Sequence, residues 1–323
     1  MRVVVIGGTG HIGTFLVPRL VRAGHEVVAI SRGQRRSYVD DPAWDEVEEV
    51  TADRHAEDAA GTFPGRVAAL KPDVVVDLIS FTPESEKALV EGLRGSIGHL
   101  LYCGSIWRHG PSQRHPGTED DTIPPIGEYG IQKAATEEML RAETAGGGLV
   151  TTSVEPGHIV GPGWDPIGPL GNKEPEVWRK LSAGEQLAVP GIGTEFLHHV
   201  HADDVAQVFE CAIARPEAAA GQSFSAVAPS ALNVRGYAAV AASWFGHEAD
   251  LHSVTWEEFR GTTSAEAYEM SWGHLYRNQY FSIERARTLL GFEPSYEPEA
   301  AILESVRWLI DNGRLDVANP LVV

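Results

Sequence analysis

The chain has 323 residues, of which 43% are hydrophobic and 22% charged, and this composition excludes a largely disordered protein. The formal net charge of −19 disfavours broad binding to nucleic acids or anionic membranes, because phosphate contacts rely on clustered Lys and Arg. Cys103 and Cys211 are too few for a disulfide framework, and no apolar stretch suits a membrane span or a signal peptide. We therefore expect a cytoplasmic protein without a nucleic-acid or membrane partner.

Short apolar runs alternate with helical periodicity through the first 150 residues. Such apolar strands are typical of a parallel sheet covered on both faces by helices, so we predict a doubly wound α/β (Rossmann) fold. The predicted strands cover residues 2–6, 26–30, 49–51, 73–78, 99–103 and 150–155, and the predicted helices cover 12–23, 85–94 and 129–145.

The amino-acid composition changes after Glu155, where stretches rich in glycine and proline appear, such as 161–169. Long irregular segments of this kind often carry function. We predict a dinucleotide-binding domain at 1–155, with a return to it near 195–215. Residues 156–323 then form mainly a smaller, interleaved substrate-binding part.

A glycine-rich turn joins the first predicted strand to the first helix. Its spacing G-x-x-G-x-x-G permits a tight turn, close approach of a pyrophosphate and close packing of helix on strand. An ordinary strand-to-helix turn is the alternative, but the flanking elements are those that a dinucleotide site requires. We expect cofactor contacts from the following residues of this turn: Gly7, Thr9, Gly10, His11, Ile12 and Gly13.

The end of the second strand carries no carboxylate before Asp40. An acidic residue there would accept the ribose hydroxyls of NAD, whereas this chain has Ser31 and Arg32. A guanidinium offers a fork to phosphate oxygens, so we expect Ser31 and Arg32 to bind the ribose and its 2′-phosphate. NADP is therefore the expected cofactor and NAD the alternative, while a basic surface loop would explain the same residues without a ligand.

Two other strand ends are candidates for cofactor contacts. Asp53 and Arg54 follow the third strand, where a carboxylate can meet the adenine amino group, although capping of the next helix explains Asp53 equally well. Residues 77–81 end the fourth strand, at the edge where ligands of such sheets lie. We expect Leu78 to contact the cofactor there.

A tyrosine and a lysine stand four residues apart at the head of a predicted helix. The spacing of Tyr129 and Lys133 puts phenol and ammonium on one face, and a phenol beside a cation and an oxidised nicotinamide is pushed toward the phenolate. Ser105, at the end of the fifth strand, can bind the same substrate oxygen. We predict that Ser105, Tyr129 and Lys133 are catalytic.

These motifs together resemble the extended short-chain dehydrogenases/reductases of the NAD-dependent epimerase/dehydratase kind. Residues 200–206 (VHADDVA) and 280–294 (YFSIERARTLLGFEP) are similar to two further segments of that family. The resemblance implies a catalytic triad of Ser105, Tyr129 and Lys133, with Lys133 also holding the nicotinamide ribose. It implies a dimer face formed by the helix from Tyr129 and the helix near Ser85, although the sequence leaves the oligomeric state open.

Two departures from the family pattern narrow the chemistry. Ile106 and Trp107 stand where sugar-nucleotide dehydratases of the family carry an Asp-Glu pair, and neither can transfer a proton, so dehydration is disfavoured. His158 replaces an asparagine that commonly contacts a nucleotide-sugar, which weakens that substrate class.

Four residues are candidate substrate contacts, with structural roles as the alternative for each: Trp107, His109, His158 and Arg277. A run of histidines at 198, 199 and 201 is compatible with metal binding, but alternation along a strand would split the three between two faces and no Cys or Glu completes a set. We expect no metal. The acids Asp203 and Asp204 are expected to cap the following helix.

The leading interpretation is an NADP-dependent oxidoreductase that exchanges a hydride with a secondary alcohol or ketone of a small, sugar-like or natural-product substrate. The alternative is a nucleotide-sugar epimerase with transient oxidation. A third interpretation is an RNA-binding module on the same fold, because the stretch from residue 31 to 54 most resembles a branch of the family that includes plastid RNA-associated proteins. The net charge of −19 and the intact catalytic residues argue against the third.

Overall fold

The computed structural model describes residues 1–323. Its strands are β1 (Arg2–Ile6), β2 (Glu26–Ser31), β3 (Glu48–Thr51), β4 (Val74–Asp77), β5 (His99–Cys103), β6 (Thr151–Pro156), β7 (His158–Val160), β8 (Leu187–Pro190), β9 (Phe196–Leu197), β10 (His199–His201), β11 (Ser223–Ala226), β12 (Leu232–Asn233) and β13 (Leu251–Val254).

Its α-helices are α1 (His11–Arg22), α2 (Arg54–Ala59), α3 (Phe63–Ala69), α4 (Pro83–Leu93), α5 (Gly127–Ala145), α6 (Pro175–Ala183), α7 (Ala202–Ala214), α8 (Pro216–Ala219), α9 (Val234–Ser243), α10 (Trp256–Arg260), α11 (Ala265–Arg277) and α12 (Pro298–Asp311). Short 3₁₀ helices cover Pro42–Glu46 and Ile106–Arg108, and a π-helical turn covers Ala286–Leu290.

Seven parallel strands form the central sheet, in the order β11-β6-β5-β4-β1-β2-β3. The inner strands consist of buried, mostly apolar residues, as expected for a sheet covered on both faces. The predicted doubly wound α/β fold is confirmed. The strand order reverses beside β1, and ligands of such sheets bind at the carboxyl edge of that point.

Two apolar cores cover the two faces of the sheet. On one face, Leu16 of α1 and Phe209 of α7 pack with the sheet. On the other, Phe63, Leu89 and Leu140 of α3, α4 and α5 form a separate core. Each fully buried side chain of this size contributes about 1.5–3 kcal/mol, so these cores hold the strand ends in fixed positions.

A third core lies in the C-terminal part and includes Trp178, Tyr237 and Trp244. In contrast, α7 packs on α1 and β11 joins the central sheet, so residues 202–226 contribute to the first unit. The division at residues 155 and 156 stays a prediction. No helix of the structure combines the length and apolar character needed to cross a bilayer.

Element ends differ from the sequence predictions by one or two residues, and one helix cap was predicted wrongly. The N-cap of α7 is His201, whose Nδ1 accepts from the Asp203 N–H at 3.0 Å. Asp203 instead pairs with Arg19 of α1. Asp204 accepts from backbone N–H groups at residues 295 and 296, so long-range contacts replaced the predicted local role.

Candidate active site

A cavity of about 950 Å³ opens where β1, β2 and β4 end. Most of its lining belongs to segments that the sequence analysis singled out. The predicted cofactor residues that line it are Gly7, Thr9, Gly10, Ser31, Arg32, Asp53 and Arg54.

The glycine turn fits a pyrophosphate. Gly7 has φ +88°, and a Cβ on Gly13 would lie 2.2 Å from the carbonyl oxygen of Gly8, so helix and strand approach as closely as the motif requires. The N-cap of α1, Gly10, provides no side-chain hydrogen bond, and the first turn holds no acidic residue. The free N–H groups of that turn are suited to an anionic ligand.

Five predicted cofactor residues do not line this cavity: His11, Ile12, Gly13, Leu78 and Lys133. His11 is buried and stacks on Trp164 with ring centres 4.7 Å apart, and burial lowers its pKa to about 3. Ile12 belongs to the core, and Leu78 packs against that core while its neighbours Ile79 and Phe81 line the cavity. Any cofactor contact of residues 11 and 12 is therefore made by the backbone.

Arg32 and Ser31 line the cavity as predicted, and Arg35 lines it as well. A methyl group at Gly10 would lie 3.9 Å from the Arg35 guanidinium, which lies over the Tyr38 ring at 4.9 Å. Arg32 and Arg35 are exposed, and neither has a carboxylate within 4.0 Å. Arg35 also donates to the Tyr38 hydroxyl. Two guanidinium groups without a carboxylate partner in one cavity are notable on so acidic a chain.

Asp53 and Arg54 have local partners besides facing the cavity. The Asp53 carboxylate caps α2 by accepting from the Ala56 N–H at 3.2 Å, so the capping alternative is correct. Arg54 is buried and pairs with Asp77, and it lies 3.6 Å from Glu86. Burial and the neighbouring Asp77 raise the pKa of Glu86 above its ordinary range.

The three predicted catalytic side chains come together beside the end of β5. Ser105 lies two residues after the strand and accepts from the Trp107 N–H at 3.2 Å, and its hydroxyl is near enough to the Tyr129 hydroxyl to lower the pKa of the phenol. The Lys133 ammonium, one turn further along α5, lies 5.6 Å from the centre of the Tyr129 ring. It donates to the carbonyls of Ser80 and Cys103, both at 2.8 Å.

The protonation of Tyr129 differs from the sequence expectation. Burial of its hydroxyl end raises the pKa of Tyr129 to about 12, with a smaller opposing effect from the Ser105 hydrogen bond. Burial also lowers the pKa of Lys133, whose hydrogen bonds go to carbonyls. The lysine therefore does not make a phenolate in this structure, and the phenol keeps its proton at neutral pH.

Trp107 lies beside Tyr129, with ring centres 6.0 Å apart, and its substrate contact stays a prediction. The Arg277 guanidinium lies over the Trp107 ring, 3.7 Å from its centre, and only 5% of Arg277 is exposed. Its guanidinium donates to the carbonyls of Gly273 and Ile126. Both terminal nitrogens of Arg277 donate to backbone carbonyls and only its buried Nε lacks a partner, which disfavours the predicted role as a substrate anchor.

The two histidines predicted to face the substrate are covered. His109 is 1% exposed, its Nδ1 lies 2.8 Å from the carbonyl oxygen of Asp121, and its Nε2 lies 3.5 Å from Glu155. Both ring nitrogens of His158 are buried between His199 and His274, and burial lowers the pKa of His158 well below its ordinary value. The sequence located both strand ends correctly but not the residues that cover them.

The histidine run makes separate contacts. His198 lies 2.9 Å from the Ala228 carbonyl oxygen, His199 lies 2.8 Å from that of Ile167, and His201 caps α7. No group of three metal-ligating side chains forms in the structure.

Sequence reasoning missed Arg35, Phe81 and Gln279. The first two line the cavity and had a local signal, because both lie within segments that follow predicted strands. Gln279 is 2% exposed and contacts the turn after Ser105 through space. No local pattern indicates that contact.

Comparison with known proteins fixes the family. Residues 3–226 match the family described as the NAD dependent epimerase/dehydratase family. The chain belongs to this family. The predicted kinship with extended short-chain dehydrogenases/reductases is thus confirmed, and with it the expectation of an NAD(P)-dependent enzyme.

The curated relatives carry different names. The 2′-dehydrokanamycin reductase of Streptomyces kanamyceticus is 32% identical over 205 residues, which cover 63% of this chain and 55% of that protein. This chain thus matches little more than half of that relative. The chloroplast stem-loop binding protein of 41 kDa b of Arabidopsis thaliana is 24% identical over 326 residues, which cover 97% of this chain and 80% of the relative.

Among solved structures, the UDP-glucose 4-epimerase of Thermotoga maritima with UDP-glucose gives a TM-score of 0.72. The identity is 17%, and the match covers 97% of this chain and 99% of that one. This similarity supports the fold.

Proposed function

We propose that this protein is an NADP-dependent reductase that converts a ketone of a small, sugar-like or natural-product substrate into a secondary alcohol. The observation that carries the proposal is that Ser105, Tyr129 and Lys133 come together beside the end of β5, with the Lys133 ammonium 5.6 Å from the Tyr129 ring centre. The 2′-dehydrokanamycin reductase that resembles the chain supports reduction of a ketone.

The residues of the cavity fit the proposed cofactor. The glycine turn and the uncapped start of α1 would hold the pyrophosphate, and Arg32 and Arg35, which have no carboxylate partner, would hold the 2′-phosphate. Lys133 would bind the nicotinamide ribose, because its ammonium has three donors and the structure uses two. When bound, NADPH supplies the hydride.

The chain's own residues handle the proton. Tyr129 donates its hydroxyl proton to the substrate oxygen, a role that its raised pKa suits because the phenol stays protonated before the reaction. Ser105 donates a hydrogen bond to the same oxygen and fixes its direction. Trp107 covers the site beside the phenol and limits access of water.

The decisive experiment is a panel of ketosugars, polyols and aromatic ketones with NADPH, followed at 340 nm. We expect stoichiometric NADPH consumption with at least one ketone and tighter binding of NADP than of NAD. An NAD preference would contradict the role of Arg32.

An epimerase is the second candidate, favoured by the fold match to UDP-glucose 4-epimerase. It would convert a sugar without net absorbance change at 340 nm, which separates it from the reductase. Because one relative is named a stem-loop binding protein, a gel shift with structured RNA provides a third comparison. Tight, salt-resistant binding would favour that function over the reductase.

We also propose a cytoplasmic homodimer whose interface is formed by α4 and α5. The exposed apolar side chain of Ile131 on α5, at 48%, supports the interface. The free thiols of Cys103 and Cys211 support the cytoplasmic location. Light scattering should give twice the mass of the 323-residue chain, and Ile131→Lys should yield monomers.

A further inference from the structure

Three residues at the end of α11 contact both segments that carry the catalytic pair, the start of α5 and the turn after Ser105. We call the segment Arg277, Asn278 and Gln279 the strap. Asn278 ends α11 in the left-handed region with φ +44°, and its side-chain oxygen accepts from the Phe196 N–H at 2.7 Å. The strap is therefore anchored in the C-terminal part of the chain.

The first contact of the strap is with the start of α5. The Arg277 guanidinium donates to the carbonyl of Ile126 at 2.7 Å, and Ile126 is the N-cap of the helix that carries Tyr129. The same guanidinium covers the Trp107 ring at 3.7 Å. No carboxylate pairs with it, and burial lowers the pKa of Arg277 to about 10. A buried cation without a counter-ion costs stability, which is unusual for a purely structural contact.

The second contact is with the turn that follows Ser105. The Gln279 amide nitrogen lies 3.1 Å from the carbonyl oxygens of Ile106 and His109 and 3.2 Å from that of Gly110. The Arg277 carbonyl also accepts from the Ser112 N–H at 2.9 Å. The turn is thus held through its backbone by the Gln279 side chain and by one backbone–backbone hydrogen bond.

The two contacted segments also touch each other. A Cβ on Gly130 would lie 2.5 Å from the Trp107 carbonyl oxygen, so the first turn of α5 packs against the Ser105 turn without spare room. A shift of either segment changes the separation of the Ser105 and Tyr129 hydroxyls.

We propose that Arg277 and Gln279 are positioning residues that fix the Ser105 and Tyr129 hydroxyls relative to each other. The proposal rests on the proposed Ser-Tyr-Lys function. It makes the strap the link through which the C-terminal, substrate-side part of the chain controls the geometry of proton transfer. Neither residue contacts the substrate.

The test compares Arg277→Met and Gln279→Met with Arg307→Met, an exposed arginine that also donates to a backbone carbonyl, at Val323. With the best ketone of the panel, we expect kcat to fall about 10- to 100-fold in both strap variants, since misplacement by about 1 Å costs that much. The Kd for NADP should stay within about twofold, because no residue of the strap lines the cavity. Arg277→Lys should recover part of kcat, since it restores the cation over Trp107.

A second readout does not need turnover. The phenolate absorbance near 295 nm, with Tyr129→Phe as the subtracted reference, gives the pKa of Tyr129 in the complex with NADP. The Ser105 hydrogen bond lowers that pKa, so loosening the strap should raise it, while Lys133 and Cys103, the other titratable neighbours, are unchanged.

Unchanged kcat and an unchanged phenol pKa in folded strap variants would overturn the proposal. Parallel loss of kcat, NADP binding and thermal stability would also overturn it, because it would indicate general destabilisation. If the wild-type protein reduces no ketone, the proposed function fails on its own, and the titration still reports on the strap.

Discussion

The Lys133 ammonium lies 5.6 Å from the centre of the Tyr129 ring but donates to the carbonyls of Ser80 and Cys103. These carbonyls follow β4 and end β5, so the lysine ties two strand ends to the helix that carries the phenol. Its position is fixed before any ligand binds. Because the ammonium is preorganised, its third N–H donor can bind a ligand without any reordering of the Lys133 side chain.

Tyr129→Phe tests the proposed proton donor. The variant keeps the ring that packs on Trp107 but removes the hydroxyl that we propose protonates the substrate oxygen. We expect kcat to fall by about 10²- to 10⁴-fold, the usual contribution of general acid catalysis, with the Kd for NADP nearly unchanged. Steady-state rates and fluorescence titration measure the two quantities.

Tyr276→Phe is the matched control, because Tyr276 is also an exposed tyrosine, at 52%. It should retain activity. Substantial turnover by Tyr129→Phe would remove Tyr129 from the mechanism.

Arg32→Gln tests the cofactor preference. Arg32 lines the cavity and has no carboxylate partner, so its removal should cost little stability. A charge-assisted hydrogen bond contributes about 1.5–3 kcal/mol, so the Kd for NADP should rise about 10- to 100-fold while that for NAD changes little. Isothermal titration with both cofactors measures the ratio.

Arg36→Gln serves as the control, because Arg36 belongs to the same basic run but does not line the cavity. Equal weakening of NADP and NAD by Arg32→Gln would place Arg32 at a phosphate that both cofactors share.

Local sequence patterns predicted the parts of the site that depend on local geometry. The glycine turn and the spacing of Tyr129 and Lys133 are properties of one turn or one helix, and the structure forms both. The substrate contacts depended on which segments cover the strand ends. His109 and His158 lie at predicted strand ends but are enclosed by other elements, and the Arg277 guanidinium donates to the carbonyl of Ile126, which is far away in sequence. Periodicity carries no information about such contacts.

Buried neutral histidines should make the fold sensitive to acid. Burial lowers the pKa of His11 and His198 to about 3 and of His199 and His274 to about 4. The unfolded chain takes up these protons near pH 6.5, so the stabilisation is complete above that value and is lost as the pH falls toward 4. Each such histidine adds about 1.4 kcal/mol per pH unit to the slope of the free energy of unfolding against pH.

Urea unfolding between about pH 7 and pH 5 measures this slope. His11→Phe keeps an aromatic ring against Trp164 and should reduce the slope by about one proton. His252→Gln, at an exposed histidine, should leave the slope unchanged. Equal slopes in the wild-type protein and His11→Phe would show that His11 titrates normally.

Arg54→Met should destabilise the protein, because it removes the cation beside two buried carboxyl groups. Asp77 and Glu86 are both fully buried, and Arg54 is the cation beside them. Breaking a buried ion pair costs about 3–5 kcal/mol. Because burial already raises the pKa of Glu86, and Arg54 opposes that shift, the variant should raise it further. A buried carboxyl whose pKa is raised in the folded state destabilises the fold as the pH rises above about 4.5, so the variant should lose more free energy of unfolding at pH 8 than at pH 5.

The control, Arg66→Met, breaks an exposed pair with Glu57 and should cost less than about 1 kcal/mol. A similar small loss for Arg54→Met in urea unfolding would mean that water reaches the two acids and solvates their charge.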